Sequence, residues 1–222
     1  MKNKQRLRTH KEAQEAIDFS VASYSDSFII PEIKSQSSGS DFWIWHFDEC
    51  VKTLFIGIRG SNDLSDFLRN ASIFPTRLEG VGLCHSGFYR GARVLEFQLL
   101  QYVNHAKANN YRVIISGHSY GGAVALILQE IYRVRHDLNV EVVTFGSPRV
   151  WLPYANPKGK HLRVEIEGDP VTMMPIILGS FFRIYRHKQT DLLEIPTDDF
   201  FDLSNHSIQA YKRMVGKLDA KS

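Results

Sequence analysis

A serine flanked by glycines stands between two segments of regular pattern. Gly117, Ser119 and Gly121 have the spacing G-x-S-x-G, which is typical of a serine nucleophile on a sharp strand-to-helix turn. The turn strains the serine backbone, and only small residues fit two positions before and after it. A helix is predicted directly after Ser119, and the partial positive charge of its first turn favours an oxyanion. The pattern predicts a nucleophile; the alternative is a glycine-rich turn that only packs tightly.

A serine nucleophile needs a base, for which the chain offers nine histidines. In hydrolases with this turn the base follows both the serine and the acid, and only His161, His187 and His206 follow Ser119 by a useful distance. His161 opens a predicted strand and therefore lies at the wrong end of the sheet, and His187 lies in a predicted hairpin. His118, inside the motif, should point away from the substrate. We therefore predict His206 as the base, with a surface or capping histidine as the alternative.

The acid that orients this histidine should follow a strand and precede His206. Asp169 meets both conditions, and its carboxylate would hold the imidazole tautomer and stabilise the imidazolium. The alternative is a turn aspartate before Pro170. Four other carboxylates also compete for the role: Asp191, Asp198, Asp199 and Asp202.

Helical and strand-like patterns alternate along the chain. Apolar periodicity predicts helices over residues 9–24, 87–109, 119–134 and 205–218. Strand patterns cover residues 41–47, 52–59, 111–116, 140–145 and 161–167, and residues 183–195 predict a hairpin. This alternation predicts an α/β fold with a mainly parallel central sheet and helices on both faces. Ligands bind beyond the carboxyl ends of such strands, in the loops after Arg59, Ser116, Phe145 and Glu167.

Composition bounds the class of protein. The 222 residues are 43% hydrophobic and 23% charged, which excludes a disordered or fibrous chain and predicts one domain over residues 1–222. The longest apolar run, residues 124–128, is far too short to span a membrane. The net charge of +3 is dispersed, so we expect no nucleic acid partner.

The N-terminal residues and the cysteines bear on localisation. Residues 2–8 are basic and lead into polar residues, without the apolar stretch of a signal peptide. We therefore expect a cytoplasmic protein, with non-classical export as the alternative. The basic cluster is either a solvated tail or a transient contact to an anionic lipid surface. Cys50 and Cys84 cannot form a disulfide framework or a four-cysteine metal site; we expect buried free thiols, with a single bridge as the alternative.

Six short motifs occur in an order that resembles the class 3 lipases, the fungal-lipase-like branch of the α/β-hydrolases. The resemblance runs from about residue 42 to residue 211. The motifs are Arg59-Gly60-Ser61, Cys84-His85-Ser86-Gly87-Phe88, Gly117-His118-Ser119-Tyr120-Gly121-Gly122, Phe145-Gly146-Ser147-Pro148-Arg149-Val150, Gly168-Asp169-Pro170-Val171 and Asn205-His206-Ser207.

The resemblance implies roles for these positions. It implies a catalytic triad of Ser119, Asp169 and His206, and an oxyanion hole formed by Ser61 and the backbone N–H of Tyr120. It also implies a lid over residues 63–70, where the family usually has Asp or Asn followed by Trp and this chain has Asp66 and Phe67. The apolar face of that lid would consist of Leu64, Phe67 and Leu68. The alternative is a fixed helix packed on the domain.

The expected activity is serine-dependent hydrolysis of acylglycerol-type fatty acid esters, which needs no metal or organic cofactor. On the same site the alternatives are phospholipase A1 activity or another esterase or acyltransferase activity. From a different class, the alternative is a catalytically silent lipid-binding module. The intact serine, aspartate and histidine set favours an enzyme.

Overall fold

The structure, a computed structural model, describes residues 2–24, 34–38, 41–60, 74–174, 185–188, 191–197 and 202–219. Its α-helices are α1 (Lys2–Ala22), α2 (Ser86–Ala108), α3 (Tyr120–His136) and α4 (Ile208–Asp219). Its strands are β1 (Lys34–Ser38), β2 (Asp41–Asp48), β3 (Thr53–Ile58), β4 (Pro75–Leu78), β5 (Gly82–His85), β6 (Arg112–His118), β7 (Glu141–Phe145), β8 (His161–Ile166) and β9 (Asp191–Ile195). Two short 3-10 helices cover Pro170–Met173 and Leu203–His206.

Seven strands form one sheet in the order β1-β2-β3-β6-β7-β8-β9. The pairs β1–β2 and β2–β3 are antiparallel, and every pair from β3 onward is parallel. β4 and β5 form a separate antiparallel pair. The predicted mainly parallel sheet is confirmed. The carboxyl ends of β3, β6, β7 and β8 therefore meet at one edge, which is where the predicted site residues follow the strands.

Alternate residues of the central strands enter two different cores. In β3, Leu54 and Ile56 belong to the core that includes α2 and α3, whereas Phe55 belongs to the core that includes α1 and α4. The alternation follows from the two-residue repeat of a strand, and both faces are apolar because helices cover both. The prediction of helices on both faces is confirmed.

Two predictions about these elements were wrong. The first helix begins at Lys2 rather than at residue 9, because the lysine, glutamine, arginine and leucine residues before Thr9 are good helix formers and continue the helix. The predicted hairpin over residues 183–195 does not form among the described residues. β9 pairs in parallel with β8, and Arg186 instead bridges to Trp151.

The two cysteines differ in exposure. Both are free thiols, as expected, but Cys84 is buried and Cys50 is exposed, so the expectation of burial was wrong for Cys50. Cys50 lies in the turn between β2 and β3, where the chain reverses at the protein surface. Among the described residues no helix is both long enough and apolar enough to cross a lipid bilayer.

Gly57 tests the packing of α1 against the sheet, and Gly216 supplies a control. A Cβ on Gly57 of β3 would lie 2.6 Å from the carbonyl oxygen of Phe19 in α1. We expect Gly57→Ala to lower the free energy of unfolding by about 1–3 kcal/mol, because the α1 backbone must move away. A Cβ on Gly216 of α4 would meet no atom within 4 Å, so the control Gly216→Ala should raise that free energy by about 0.5–1 kcal/mol. Urea unfolding measures both; a Gly57→Ala protein as stable as the wild type would contradict this packing.

Candidate active site

Ser119 occupies a strained turn between β6 and α3. Its backbone angles are φ 56° and ψ −124°, outside the ordinary regions for a residue with a side chain. The Ser119 N–H donates to the carbonyl of Phe145 at 3.0 Å, and the Ser119 carbonyl accepts from the N–H of Ala123 at 3.2 Å. These bonds to β7 and to α3 hold the strained conformation in place. The hydroxyl is thereby presented at the carboxyl end of β6.

The glycines of the motif leave no room for a side chain. A Cβ on Gly117 would lie 2.4 Å from the carbonyl carbon of Gly121, and a Cβ on Gly121 would lie 2.2 Å from the carbonyl oxygen of Ile58. The turn therefore closes on itself and packs directly against the end of β3. This is the steric requirement that the G-x-S-x-G spacing predicts.

Asp169 follows β8 and is 1% exposed. Its Oδ1 accepts the N–H of Val171 at 2.9 Å, and its Oδ2 accepts the hydroxyl of Tyr211 at 2.7 Å and Nδ1–H of His206 at 2.8 Å. A buried carboxylate requires such donors. Burial, and next the charge of Asp169, raise the pKa of Tyr211 well above its ordinary value, so that this hydroxyl stays protonated and donates.

His206 ends the second 3-10 helix and is buried beside Asp169. Because Nδ1 donates to the carboxylate, the neutral ring carries its lone pair on Nε2. Among the described residues neither this Nε2 nor the buried Oγ of Ser119 has a hydrogen-bond partner. The structure therefore joins Asp169 to His206 directly and leaves a basic nitrogen and a hydroxyl, both buried, open for chemistry.

A glycine also lies against the Asp169–His206 pair. Gly146, directly after β7, has φ +58°, and a Cβ there would lie 2.8 Å from Oδ2 of Asp169 and 3.0 Å from Nδ1 of His206. A larger residue at this position would separate the acid from the base. The Phe145-Gly146-Ser147 motif therefore has a steric role in the site.

The loop after β3 begins against Ser119. A Cβ on Gly60 would lie 3.3 Å from Cβ of Ser119. Tyr120 is the first residue of α3, so its backbone N–H lies at the positive end of the helix dipole. Ser61, predicted for the oxyanion hole, and the predicted lid with Leu64, Phe67 and Leu68 lie outside the described residues. Their roles stay predictions.

The rival histidines have other partners. His161 begins β8, at the end opposite Asp169, and its Nε2 bonds to the hydroxyl of Thr144 at 2.8 Å. His187 donates from Nε2 to the carbonyl of Thr172 at 2.7 Å. Neither of these bonds involves Ser119 or the carboxylate of Asp169. The structure thus places His206, and neither of these rings, beside the acid.

The competing carboxylates that the structure describes have other positions or partners. Asp202 caps the second 3-10 helix and accepts the N–H of Ser204 at 2.8 Å. Asp191 begins β9, at the same end of the sheet as His161. Asp198 and Asp199 lie outside the described residues.

Three residues of this site were not predicted as part of it. Tyr24 and Tyr211 appear in the sequence as apolar positions of helices, and burial confirms that Tyr211 faces inward. Their hydroxyl partners come from distant segments, which no local pattern reveals. His118 donates from Nε2 to the carbonyl of His206 at 2.6 Å, although its motif position indicated only that it should point away from the substrate.

Four histidines of the described residues, two of them beside the site and one at the opposite end of the sheet, are kept neutral. Burial lowers the pKa of His118, His161 and His187 to about 3 and that of His85 to about 4. Neighbouring His and Arg side chains lower these pKa values further. None of the four therefore carries a positive charge at neutral pH.

An open cavity of about 620 Å³ lies away from Ser119. It is lined by residues 156–161 and Asp191, at the amino ends of β8 and β9. Ser119 and Asp169 follow the carboxyl ends of β6 and β8, so this cavity belongs to the opposite edge of the sheet. It is not part of the site around Ser119.

A family model described as lipase (class 3) matches residues 55–179, more than half of the 222 residues. The chain belongs to the class 3 lipase family. The match covers the end of β3, the nucleophile turn and Asp169, as the resemblance of the motifs predicted.

Curated relatives support this membership. The secreted mono- and diacylglycerol lipase 1 of Fusarium solani is 28% identical over 150 residues, covering 63% of this chain and 43% of the relative. The chloroplastic phospholipase A1 PLIP2 of Arabidopsis thaliana is 30% identical over 132 residues, covering 55% of this chain and 18% of the relative. This class 3 lipase chain spans less than half the length of either relative.

Solved structures share the fold. The triacylglyceride lipase of Rhizomucor miehei matches with a TM-score of 0.67 at 21% identity, covering 87% of this chain and 81% of that chain. A triacylglycerol lipase described as having a serine-protease triad at its catalytic centre matches with a TM-score of 0.59 at 22% identity, covering 74% of each chain. These likenesses confirm the α/β-hydrolase fold.

The neutral histidines predict loss of stability in acid. Unfolded histidines take up protons near pH 6.5, whereas His161 resists protonation down to about pH 3 while folded. The unfolded state then binds more protons, so the stability present above pH 6.5 is lost as the pH falls towards 3. We expect His161→Asn to reduce the slope of unfolding free energy against pH, between pH 4 and 6, by about 1 kcal/mol per pH unit.

Urea unfolding at a series of pH values measures this slope. Equal slopes in wild type and His161→Asn would show that folding does not lower the pKa of His161.

Proposed function

We propose that the protein is a serine hydrolase that cleaves carboxylic esters of the acylglycerol type through an acyl-enzyme on Ser119. The observation that carries this proposal is the buried Asp169–His206 pair beside a strained serine turn. His206 Nε2 and Ser119 Oγ are both buried and unpartnered among the described residues. A silent module would have no need to keep a basic nitrogen and a hydroxyl buried without partners.

In the first step, Oγ of Ser119 bonds to the ester carbonyl carbon while its proton passes to Nε2 of His206. The positive charge that forms on the imidazole lies next to the carboxylate of Asp169, whose Oδ2 accepts Nδ1–H at 2.8 Å. The negative oxygen of the tetrahedral intermediate accepts hydrogen bonds from the N–H of Tyr120 and from Ser61. The positive end of the α3 dipole adds to this stabilisation.

In the second step the intermediate breaks down. Nε2–H of His206 returns its proton to the departing alcohol oxygen, the C–O bond breaks, and an ester of Ser119 remains. Water then attacks this acyl-enzyme with His206 again as base, and the fatty acid and free Ser119 are released. Every proton transfer uses Nε2 of His206, so the step needs no metal or organic cofactor.

We propose acylglycerols as the substrates because of the names of two relatives. The Fusarium solani relative is by name a mono- and diacylglycerol lipase, and the Arabidopsis thaliana relative is a phospholipase A1. Phospholipase A1 activity is therefore the second candidate. Release of fatty acid from a panel of mono-, di- and triacylglycerols and phosphatidylcholine separates the two; preference for phosphatidylcholine would favour the second.

Replacement of the nucleophile tests the chemistry. We expect Ser119→Ala to lower turnover of a p-nitrophenyl ester by more than about a hundredfold, because the attacking oxygen is lost. A fluorophosphonate probe should label the wild type and leave Ser119→Ala unlabelled, since it reacts only with an activated serine.

Ser116 is the matched control for that variant. It is a buried serine in β6 whose hydroxyl donates to the carbonyl of Ile56 at 3.4 Å. Ser116→Ala should keep both activity and labelling. Full activity in Ser119→Ala would contradict the assignment of the nucleophile.

We also propose transient contact with a lipid surface through the rim of the site. Leu203 is 63% exposed in the 3-10 helix that ends at His206, so an apolar side chain faces water beside the base. Burying a leucine side chain in lipid contributes about 1.5–3 kcal/mol. The basic residues 2–8 would add attraction to anionic lipid.

Leu203→Ser should bind phosphatidylcholine vesicles about tenfold more weakly and still hydrolyse a soluble short-chain ester at the wild-type rate. Vesicle sedimentation, with and without anionic lipid, measures the binding. Val51 is 58% exposed before β3, at the opposite end of the sheet, so Val51→Ser is the control that should bind as the wild type does. Equal binding by wild type and Leu203→Ser would rule out a contact through Leu203.

A further inference from the structure

The hydroxyl of Tyr24 lies between two catalytic segments. Tyr24 follows the C-terminal end of α1, and its hydroxyl oxygen is 3.0 Å from the backbone nitrogen of Gly60 and 2.9 Å from Nδ1 of His118. Gly60 directly precedes Ser61, and His118 directly precedes Ser119. One side chain of the first helix therefore joins the start of the loop after β3 to the nucleophile turn.

The ring of His118 extends this connection to the base. Its Nε2 lies 2.6 Å from the backbone carbonyl oxygen of His206, and the two imidazole rings are 4.7 Å apart. Gly60, Tyr24, His118 and His206 thus form one continuous series of hydrogen bonds, which we call the Tyr24–His118 chain. Each of its members comes from a different segment of the fold.

Chemistry determines the direction of every bond in the chain. A carbonyl oxygen can only accept, so Nε2 of His118 carries the proton. A neutral imidazole has one N–H, so Nδ1 of His118 accepts the hydroxyl proton of Tyr24. The Tyr24 oxygen in turn accepts the N–H of Gly60. Burial supports these protonation states, because it lowers the pKa of His118 to about 3 and raises the pKa of Tyr24 to about 12.

The packing around the chain leaves little room for movement. A Cβ on Gly60 would lie 2.3 Å from the Tyr24 hydroxyl oxygen and 2.6 Å from the carbonyl oxygen of His118. Position 60 therefore has no room for a side chain, and the Gly60 backbone lies directly against Tyr24 and His118. The chain bonds to backbone atoms of Gly60 and His206, and it makes no hydrogen bond to Oγ of Ser119 or Nε2 of His206, which have no hydrogen-bond partner among the described residues.

We propose that Tyr24 and His118 are positioning residues that hold the backbone of Gly60 and the backbone of His206 in place around Ser119. This inference rests on the proposed function, since it assigns two further residues to the same hydrolytic site. It gives α1 a role in catalysis in addition to covering the sheet. Loss of the chain lets the start of the oxyanion loop and the base move independently of the nucleophile.

Removal of one hydroxyl tests the chain. Tyr24→Phe keeps the ring and leaves both the Gly60 N–H and Nδ1 of His118 without a partner. We expect kcat on a p-nitrophenyl ester to fall about tenfold to a hundredfold with KM changed by less than about threefold, because misplaced groups affect the transition state more than substrate binding.

Tyr132→Phe is the matched control. Tyr132 of α3 is also fully buried, and its hydroxyl donates to the backbone carbonyl of Glu96 at 3.1 Å, remote from the site. This variant should lose a comparable amount of thermal stability and keep the wild-type kcat. A kcat for Tyr24→Phe equal to that of Tyr132→Phe would overturn the inference.

A double-mutant cycle tests whether the two residues act together. His118→Phe removes both ring nitrogens and keeps a ring. In a connected chain, Tyr24→Phe should lower kcat by less than about twofold when His118 is already replaced. The same fold loss in both backgrounds would overturn the connection between the two residues. Should His118→Phe fail to fold, the comparison of Tyr24→Phe with Tyr132→Phe remains decisive.

The rate of fluorophosphonate labelling of Ser119 separates this inference from the proposed function. We expect the wild type to label rapidly and Tyr24→Phe to label at least about tenfold more slowly. That result supports the chain whichever ester is the natural substrate. Equal labelling rates in the two proteins overturn the chain alone. A wild type that neither labels nor hydrolyses any ester overturns the proposed function and this inference together.

Discussion

Close backbone approach at the turn that carries Ser119 constrains the rest of the structure. The turn packs against the end of β3 through Gly121 and bonds to the end of β7 through the Ser119 N–H. Both contacts need β6 at the centre of a parallel sheet, with strands on either side that end at the same level. The strained serine conformation is thus stabilised by the whole sheet, and its energetic cost is offset by burial on both faces.

Burial also determines the electrostatics of the site. The carboxylate of Asp169 has lost water, and Val171, Tyr211 and His206 supply hydrogen bonds in its place. Fixed donors of this kind need no reorganisation when charge develops on the imidazole. The nearby His118 stays neutral, because burial and the proximity of His206 lower its pKa. Of the two rings, that of His206 has its Nε2 without a hydrogen-bond partner among the described residues, and this nitrogen is open to take the serine proton.

Sequence analysis predicted those features that depend on local sterics or on strand ends. The G-x-S-x-G spacing is required by contacts within a few residues, and Asp169 could be found because it follows a strand and precedes His206. Long-range partners could not be found in this way. Residues 183–195 predicted a hairpin, and nothing local shows that residues 191–195 pair instead with β8. The hydroxyl bonds of Tyr24 and Tyr211 join residues 36 or more positions apart.

Detection of the acyl-enzyme tests covalent catalysis by Ser119 most directly. Rapid acid quench of the wild type during turnover of a p-nitrophenyl ester, followed by mass spectrometry of its peptides, detects the intermediate. The account predicts that the mass of one acyl group appears on Ser119 and disappears as substrate is exhausted. Continued hydrolysis with the acyl group on another residue, or with none on Ser119, would contradict it.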